Sequence, residues 1–422
     1  MEALARLAVG GGAHRAVARV GERLAEPALR LAVAGRLNAG KSTLVNALLG
    51  GAVAATDATE CTTVVTWYRH AERSSVQVLT RGGERYELPY GGSVVLDRDA
   101  GEIAEVTVSI PVDVLHRRYL VVDTPGLDSM SRLDELSTAA LRQADVLLYV
   151  MPHPGERDRE ALTAFRSATR GARMSAYNAV GVLSRIDQLG GGPPDPWPGA
   201  RRVATRYAES LRTLLSDVLP VAGLVAQATA GGAVTEADAR AVAELAACCP
   251  PGERRPLLAR KETLLAADLP VPPAARERLH RLLGLFGLRE ALALADSGVR
   301  GAPALVAGLR RGCGVEALLS ALDQRFVRHA DVLRSDAALA ALDRIGWASA
   351  PPAERAALAA LRSGWPPYGV TRGCCARSCQ GCSATPGPSG FRSAPRPSTS
   401  CWPSRSARTT RPGSGCRPGR GR

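Results

Sequence analysis

The sequence has almost no lysine. Of its 54 Lys and Arg residues only Lys41 and Lys261 are lysine. The skew points to a GC-rich genome that writes arginine wherever a cation serves. A lysine kept against that bias marks chemistry that arginine's planar fork performs badly. No run of about 18 uninterrupted apolar residues occurs, which argues against a membrane-spanning helix. The start, Met1-Glu2-Ala3-Leu4, lacks the basic residues and apolar core of a secretory signal. The ten cysteines are too sparse and too clustered for a disulfide framework, so a reducing cytoplasm is expected.

Residues 366–422 lack Lys, Asp, Glu, Leu and Ile altogether. Ten arginines there supply most of the formal net charge of +14, so the basic balance describes this tail and not a nucleic-acid-binding face. Arg, Ser, Pro, Gly and Cys make up 43 of its 57 residues, a composition that cannot bury a core and is expected to be disordered. It begins abruptly after a helical pattern at 353–361, which points to a shifted reading frame and a helical domain cut short. Cys374, Cys375, Cys379 and Cys382 contain a CxxC but no second spaced pair of ligands, so no zinc site is expected.

Over the whole chain 45% of the residues are hydrophobic and 22% charged, enough for a sizeable core. Residues 13–25 read as an N-terminal helix stopped by Pro27, within a first segment 1–27. From 28 to 230 strand-like runs alternate with helical ones. Strands are predicted at Ala28–Ala34, Thr63–Arg69, Ser75–Leu79, Glu105–Ile110, Arg118–Val122, Val146–Met151, Ala179–Leu183 and Val221–Ala226. Helices are predicted at Lys41–Leu49, 132–143, 156–170 and 199–217. This alternation predicts an α/β domain with a mainly parallel sheet and one antiparallel edge hairpin at Arg81-Gly82-Gly83. From 231 to 365 only helices are predicted. One opens at Thr235-Glu236-Ala237-Asp238, which resembles a capping box, and the longest spans Val315–Ile345 with Val315, Leu319, Leu322, Phe326 and Leu333 as its apolar stripe.

Four motifs carry chemistry. Gly35, Arg36, Leu37, Asn38, Ala39, Gly40, Lys41 and Ser42 fit GxxxxGK[ST] between a strand and a helix. Glycines there let backbone N–H groups wrap phosphates, and the helix N-terminus, with Thr43 in its first turn, adds a favourable dipole. Lys41 reaches the β- and γ-phosphates, and Ser42 Oγ is a ligand for Mg²⁺. Asp123-Thr-Pro-Gly126 follows a strand directly: Asp123 can hold the Mg²⁺ shell and Gly126 can offer its N–H to the γ-phosphate. Thr62, in the intervening loop, is placed to close over Mg²⁺, with Thr63 as its competitor. Ser184-Arg185-Ile186-Asp187 matches the spacing of the guanine-reading [NT]KxD motif. Asp187 can accept both guanine N–H donors or merely cap a helix, and Arg185 can lie flat on the base. Ser184, shorter than Asn, is expected to brace the phosphate loop poorly. Ala226-Gln227-Ala228 is the predicted last base-contacting loop.

In order and spacing these motifs resemble a GTPase domain of the translation-factor class. Within that class, residues 56–70, Val106–Ser129 and Ala144–Val150 are similar to those of bacterial dynamin-like proteins. The resemblance implies GTP and Mg²⁺ as ligands and hydrolysis of GTP to GDP. It also implies nucleotide-dependent self-association, peripheral to the cytoplasmic face of the cell membrane, where an anionic lipid surface is the partner. No specific nucleic-acid partner is expected. Leu127 stands where Ras-type enzymes carry a water-positioning Gln, and Leu37 where eukaryotic dynamins carry a polar catalytic residue. Some dynamin-like and Era-like relatives place a potassium or sodium ion at the β,γ-phosphates, which implies Asn38 as its oxygen ligand; a turn-favouring role is the alternative, and Arg36, early in the loop, is a rival cation. The loop is also similar to that of Era-type GTPases, so ribosome or RNA assembly is a second reading. A nucleotide-binding scaffold with little turnover, in view of Leu127 and Ser184-Arg185, is a third.

Overall fold

The computed structural model describes residues 20–51, 53–54, 64–92, 94, 96–112, 118–124, 143–168, 175–191 and 195–344. All lie within one compact unit, Met1–Pro366; the other unit, Pro367–Arg422, is outside the described residues, as are the predicted helix 132–143 and the predicted disordered tail. Val20–Ala25 are helical, and the helix stops before Pro27, whose ring cannot continue it.

Nine strands among the described residues form one sheet. They are β1 (Leu29–Gly35), β2 (Val65–His70), β3 (Ser75–Thr80), β4 (Arg85–Leu88), β5 (Ile103–Ile110), β6 (Tyr119–Asp123), β7 (Val146–Met151), β8 (Ala179–Leu183) and β9 (Val218–Pro220), in the order β4-β3-β5-β2-β6-β1-β7-β8-β9. The strands β6, β1, β7, β8 and β9 run parallel. All six residues of β7 and all five of β8 are buried. Such unbroken apolar runs fit strands covered by helices on both faces. At the other edge β3 alternates buried and exposed residues and pairs antiparallel with β4, the hairpin predicted around Arg81-Gly82-Gly83. The antiparallel region reaches further than that hairpin, because β2 runs antiparallel to β6 while lying parallel to β5.

Helices flank this sheet at Lys41–Leu49, Glu156–Ala168, Trp197–Ser210 and Gly223–Ala228. Seven more follow, from Glu236–Cys248 to Ala330–Arg344, and their apolar residues join the same buried core as the sheet. The box at Thr235 forms as read: Asp238 N–H donates to Thr235 Oγ1 at 3.3 Å and Thr235 N–H to Asp238 Oδ2 at 2.8 Å. Helix Pro273–Asp296 is broken at Gly284, whose φ of 66° lies in the left-handed region.

Three predicted elements differ. Val221–Ala226 is not a strand: the last strand is Val218–Pro220, and Gly223–Ala228 is a helix. A short apolar run fits a buried strand and a buried helix equally by periodicity, and here it packs between helices Lys41–Leu49 and Pro273–Asp296. The helix predicted over 199–217 ends at Ser210. The long helix predicted over Val315–Ile345 is two, Val315–Arg325 and Ala330–Arg344, parted by a 3₁₀ turn at Val327–His329. Phe326, buried to 1% exposure, anchors the bend. Apolar spacing stays in phase across so short a turn, so the pattern conceals it. Within the stripe Leu318 is fully buried in place of the predicted Leu319.

Candidate nucleotide site

The parallel pairing of β1 with both β6 and β7 assembles the site at one sheet edge. Val33 lies opposite Asp123, and Gly35 lies opposite Val150. A Cβ on Gly35 would sit 2.3 Å from the Val150 carbonyl oxygen, and its φ is 155°. Only glycine lets the chain leave β1 so close to β7. Thr124, after Asp123, is locked to the same strand by Oγ1 donating to the Val33 carbonyl at 3.0 Å.

The loop Gly35–Gly40 then turns into helix Lys41–Leu49. Asn38 has φ 57° and Gly40 φ 91°, and Ala39 N–H donates to the Arg36 carbonyl at 3.2 Å. No side chain caps the helix N-terminus, an arrangement that suits an anion. Lys41 is buried to 9% exposure, and its Nζ donates to the Arg36 carbonyl at 2.9 Å. Leu37 is 60% exposed on the loop, and Asn38 is exposed beside it. The left-handed φ of Asn38 accounts for an asparagine there on conformational grounds, since its short amide tolerates that region.

Beneath the loop Ser42 Oγ donates to Asp123 Oδ2 at 3.2 Å. The other oxygen, Asp123 Oδ1, is buried and has no hydrogen-bond partner among the described residues. Burial pushes the Asp123 carboxyl up to about 6, against the opposing pull of the Lys41 ammonium, Ser42 Oγ and the Thr124 N–H. A buried carboxylate oxygen with no donor beside a hydroxyl is a donor set of the hard-oxygen kind that Mg²⁺ takes. The predicted ligands Ser42 and Asp123 are therefore together. Thr62, its competitor Thr63, Gly126 and Leu127 lie outside the described residues.

The base-reading motif follows β8. Ser184 Oγ donates to the Ala39 carbonyl at 2.7 Å. The expectation that serine is too short to brace the phosphate loop is thus corrected: the two backbones approach closely enough for one hydroxyl to span them. Ile186, fully buried, pins the motif, while Arg185 and Asp187 are exposed. Arg185 has φ 48°, unusual for a side-chain-bearing residue and common at binding sites.

The predicted last loop, Ala226-Gln227-Ala228, is also corrected. Ala226 and Ala228 are buried in a helix, where they pack and cannot meet a base. The segment beside the motif is Val221-Ala222-Gly223, at the end of β9. Val221 N–H donates to the Leu183 carbonyl at 2.9 Å, and a Cβ on Gly223 would lie 3.6 Å from Thr43 Cγ2. The sequence held one signal for it, the Pro220 that ends the short strand.

The model of the 50S ribosome-binding GTPase family matches residues 30–178. Isoniazid-induced protein IniC of Mycobacterium tuberculosis (strain H37Rv) is 34% identical over 350 residues, 77% of this chain and 68% of that protein. The bacterial dynamin-like protein of Nostoc punctiforme is 25% identical over 146 residues, 31% of this chain and 21% of its own length. A solved structure described as an oligomerised bacterial dynamin pair that senses and tethers membranes overlaps 49% of this chain. The chain spans only 32% of that structure, with a TM-score of 0.38 and 15% identity. With its phosphate loop, Asp123 and Ser184–Asp187 converging on one sheet edge and its likeness to IniC running far beyond the GTPase core, the chain belongs to the bacterial dynamin-like GTPases and is a GTP-binding protein.

Proposed function

We propose that the chain hydrolyses GTP to GDP and phosphate with Mg²⁺, and couples turnover to self-association at the cytoplasmic face of the membrane. The observation that carries the catalytic half is the buried, unpartnered Asp123 Oδ1 beside Ser42 Oγ beneath the phosphate loop. Ser42 and Asp123, with Thr62, would hold the ion, which supplies positive charge to the β- and γ-phosphates. Lys41 exchanges its contact with the Arg36 carbonyl for those phosphates. The first-turn backbone of helix Lys41–Leu49 and Gly126 bind the remaining oxygens. Water attacks the γ-phosphorus, the bond to the β,γ-bridging oxygen breaks, and GDP leaves. Lys41→Ala removes the mobile cation of the loop. It is expected to abolish GTP turnover, measured as phosphate release, and unchanged turnover would reject the assignment.

Guanine selection rests on Asp187, whose exposed carboxylate accepts two N–H donors while Arg185 covers the base. Asp187→Asn exchanges an acceptor for a donor, which suits the C2 oxygen of xanthine. The variant is expected to shift preference from GDP toward xanthosine diphosphate in competition binding. A wild-type chain that binds ADP as well as GDP would show that Asp187 does not read the base.

Leu127 offers no polar atom to orient water, so charge that develops between the β- and γ-phosphates needs another partner. We assign it to a potassium ion held by the Asn38 amide oxygen, although the turn conformation already explains an asparagine at that place. Hydrolysis is then faster in potassium chloride than in lithium chloride at equal ionic strength, and Asn38→Ala erases the difference while sparing GTP binding. Equal wild-type rates in the two salts would reject the ion.

Family membership supports the self-association half, and the matched family model, described as ribosome-binding, favours a competing one. Flotation of the GTP-bound chain with vesicles rich in anionic lipid is the expected outcome. Co-sedimentation with ribosomes in place of flotation would favour the Era-like reading.

A further inference from the structure

We propose that the Cys313-Gly314 turn of the helical part is a positioning element for the nucleotide base. It holds the Val221–Gly223 loop against the base-reading motif, and so ties guanine affinity to the packing of the helices. The proposal rests on the reading of Ser184–Asp187 as the guanine site. Its starting point is the backbone of Val221–Gly223, which is fastened by two hydrogen bonds and lies beside the phosphate-loop helix. Val221 N–H donates to the Leu183 carbonyl, immediately before Ser184, at 2.9 Å. Gly223 faces Thr43 Cγ2 in the first turn of the phosphate-loop helix. Ala222 N–H, between them, donates to the Cys313 carbonyl at 2.9 Å. That bond joins residues more than ninety positions apart, and its acceptor comes from the helical part.

The turn that presents this carbonyl is built for close approach. Gly314 has φ 83° and begins helix Val315–Arg325. A Cβ on Gly314 would sit 2.5 Å from the Pro220 carbonyl oxygen and 3.1 Å from Trp197 Cη2. Any side chain there pushes against the backbone at the end of β9 in a conformation that L residues rarely adopt. Cys313 and Val315, on either side, are fully buried, which leaves the turn no room to retreat. The base loop therefore cannot move away from Leu183 unless the turn moves with it.

The test uses the full-length chain and fluorescent GDP. Gly314→Ala drives a Cβ into the Pro220 carbonyl. Ala222→Pro removes the N–H that Cys313 accepts and sets the ring Cδ against that carbonyl, at a φ of −80° that proline adopts readily. Gly298→Ala is the control: φ is 90°, with nothing within 4 Å of the new Cβ, so it carries the left-handed strain alone. Gly314→Ala and Ala222→Pro are each expected to weaken GDP binding about tenfold, the scale of one lost hydrogen bond. The loss should fall mainly on dissociation, and the preference for GDP over ADP should narrow in parallel. Gly298→Ala should keep wild-type affinity and preference. A general loss of stability would lower the melting temperature without narrowing base preference. Should Gly314→Ala fail to fold, Ala222→Pro decides. Wild-type binding and preference in the folded variants would overturn the positioning role, as would equal losses in Gly298→Ala. A wild-type chain that binds no GDP would instead overturn the nucleotide site itself, and the proposal with it.

Discussion

Everything at the nucleotide edge depends on how closely β1 runs beside β7. The path of Gly35 past the Val150 carbonyl leaves no space for a Cβ, so the loop departs from the sheet at one defined point. The same parallel register places Asp123 opposite Val33, and it sets the end of β8 next to the end of β7. The phosphate-loop motif, Asp123 and the Ser184–Asp187 segment, far apart in the chain, thus meet because the parallel strands that carry them end together. In parallel sheets that common edge is where ligands bind.

Two polar features within this edge differ in kind. Ser184 Oγ with the Ala39 carbonyl is a satisfied buried bond, of the sort that contributes about 1 kcal/mol and holds two loops in register. Asp123 Oδ1 is the reverse, a buried acceptor with no donor. An acceptor buried in this way costs stability unless a donor or a cation meets it.

The short helix Gly223–Ala228 connects the two halves of the described chain. One side packs on the phosphate-loop helix, the other on Pro273–Asp296, where the break at Gly284 faces Leu224. The helical part touches the sheet elsewhere as well. Tyr119 Oη donates to the Leu322 carbonyl at 3.0 Å, Arg325 pairs with Asp217 at 2.6 Å, and Arg334 donates to the Glu26 carbonyl at 2.6 Å. These three contacts lie at the starting ends of β6, β9 and β1, while the Ala222 N–H to Cys313 carbonyl bond meets the opposite end of β9.

The chain's own pattern was sufficient for the phosphate loop, for Asp123 at a strand end, for the edge hairpin and for the Thr235 cap. Each of these is a local matter of spacing, turn chemistry or an unbroken apolar run. Lys41, one of two lysines in the chain, stood out for the same reason. Distances between segments are not local and leave no such pattern. Whether serine at 184 reaches the phosphate loop depends on how β1 and β8 are spaced across β7. The apolar residues of Val221–Ala226 can cover either a sheet neighbour or two helices. Only the packed helices on both sides decided between those alternatives. The Cys313 carbonyl that Ala222 meets is invisible in the sequence, since a backbone carbonyl has no residue type and its partner lies far away along the chain. Periodicity encodes which face is buried; what it is buried against is decided by the tertiary fold.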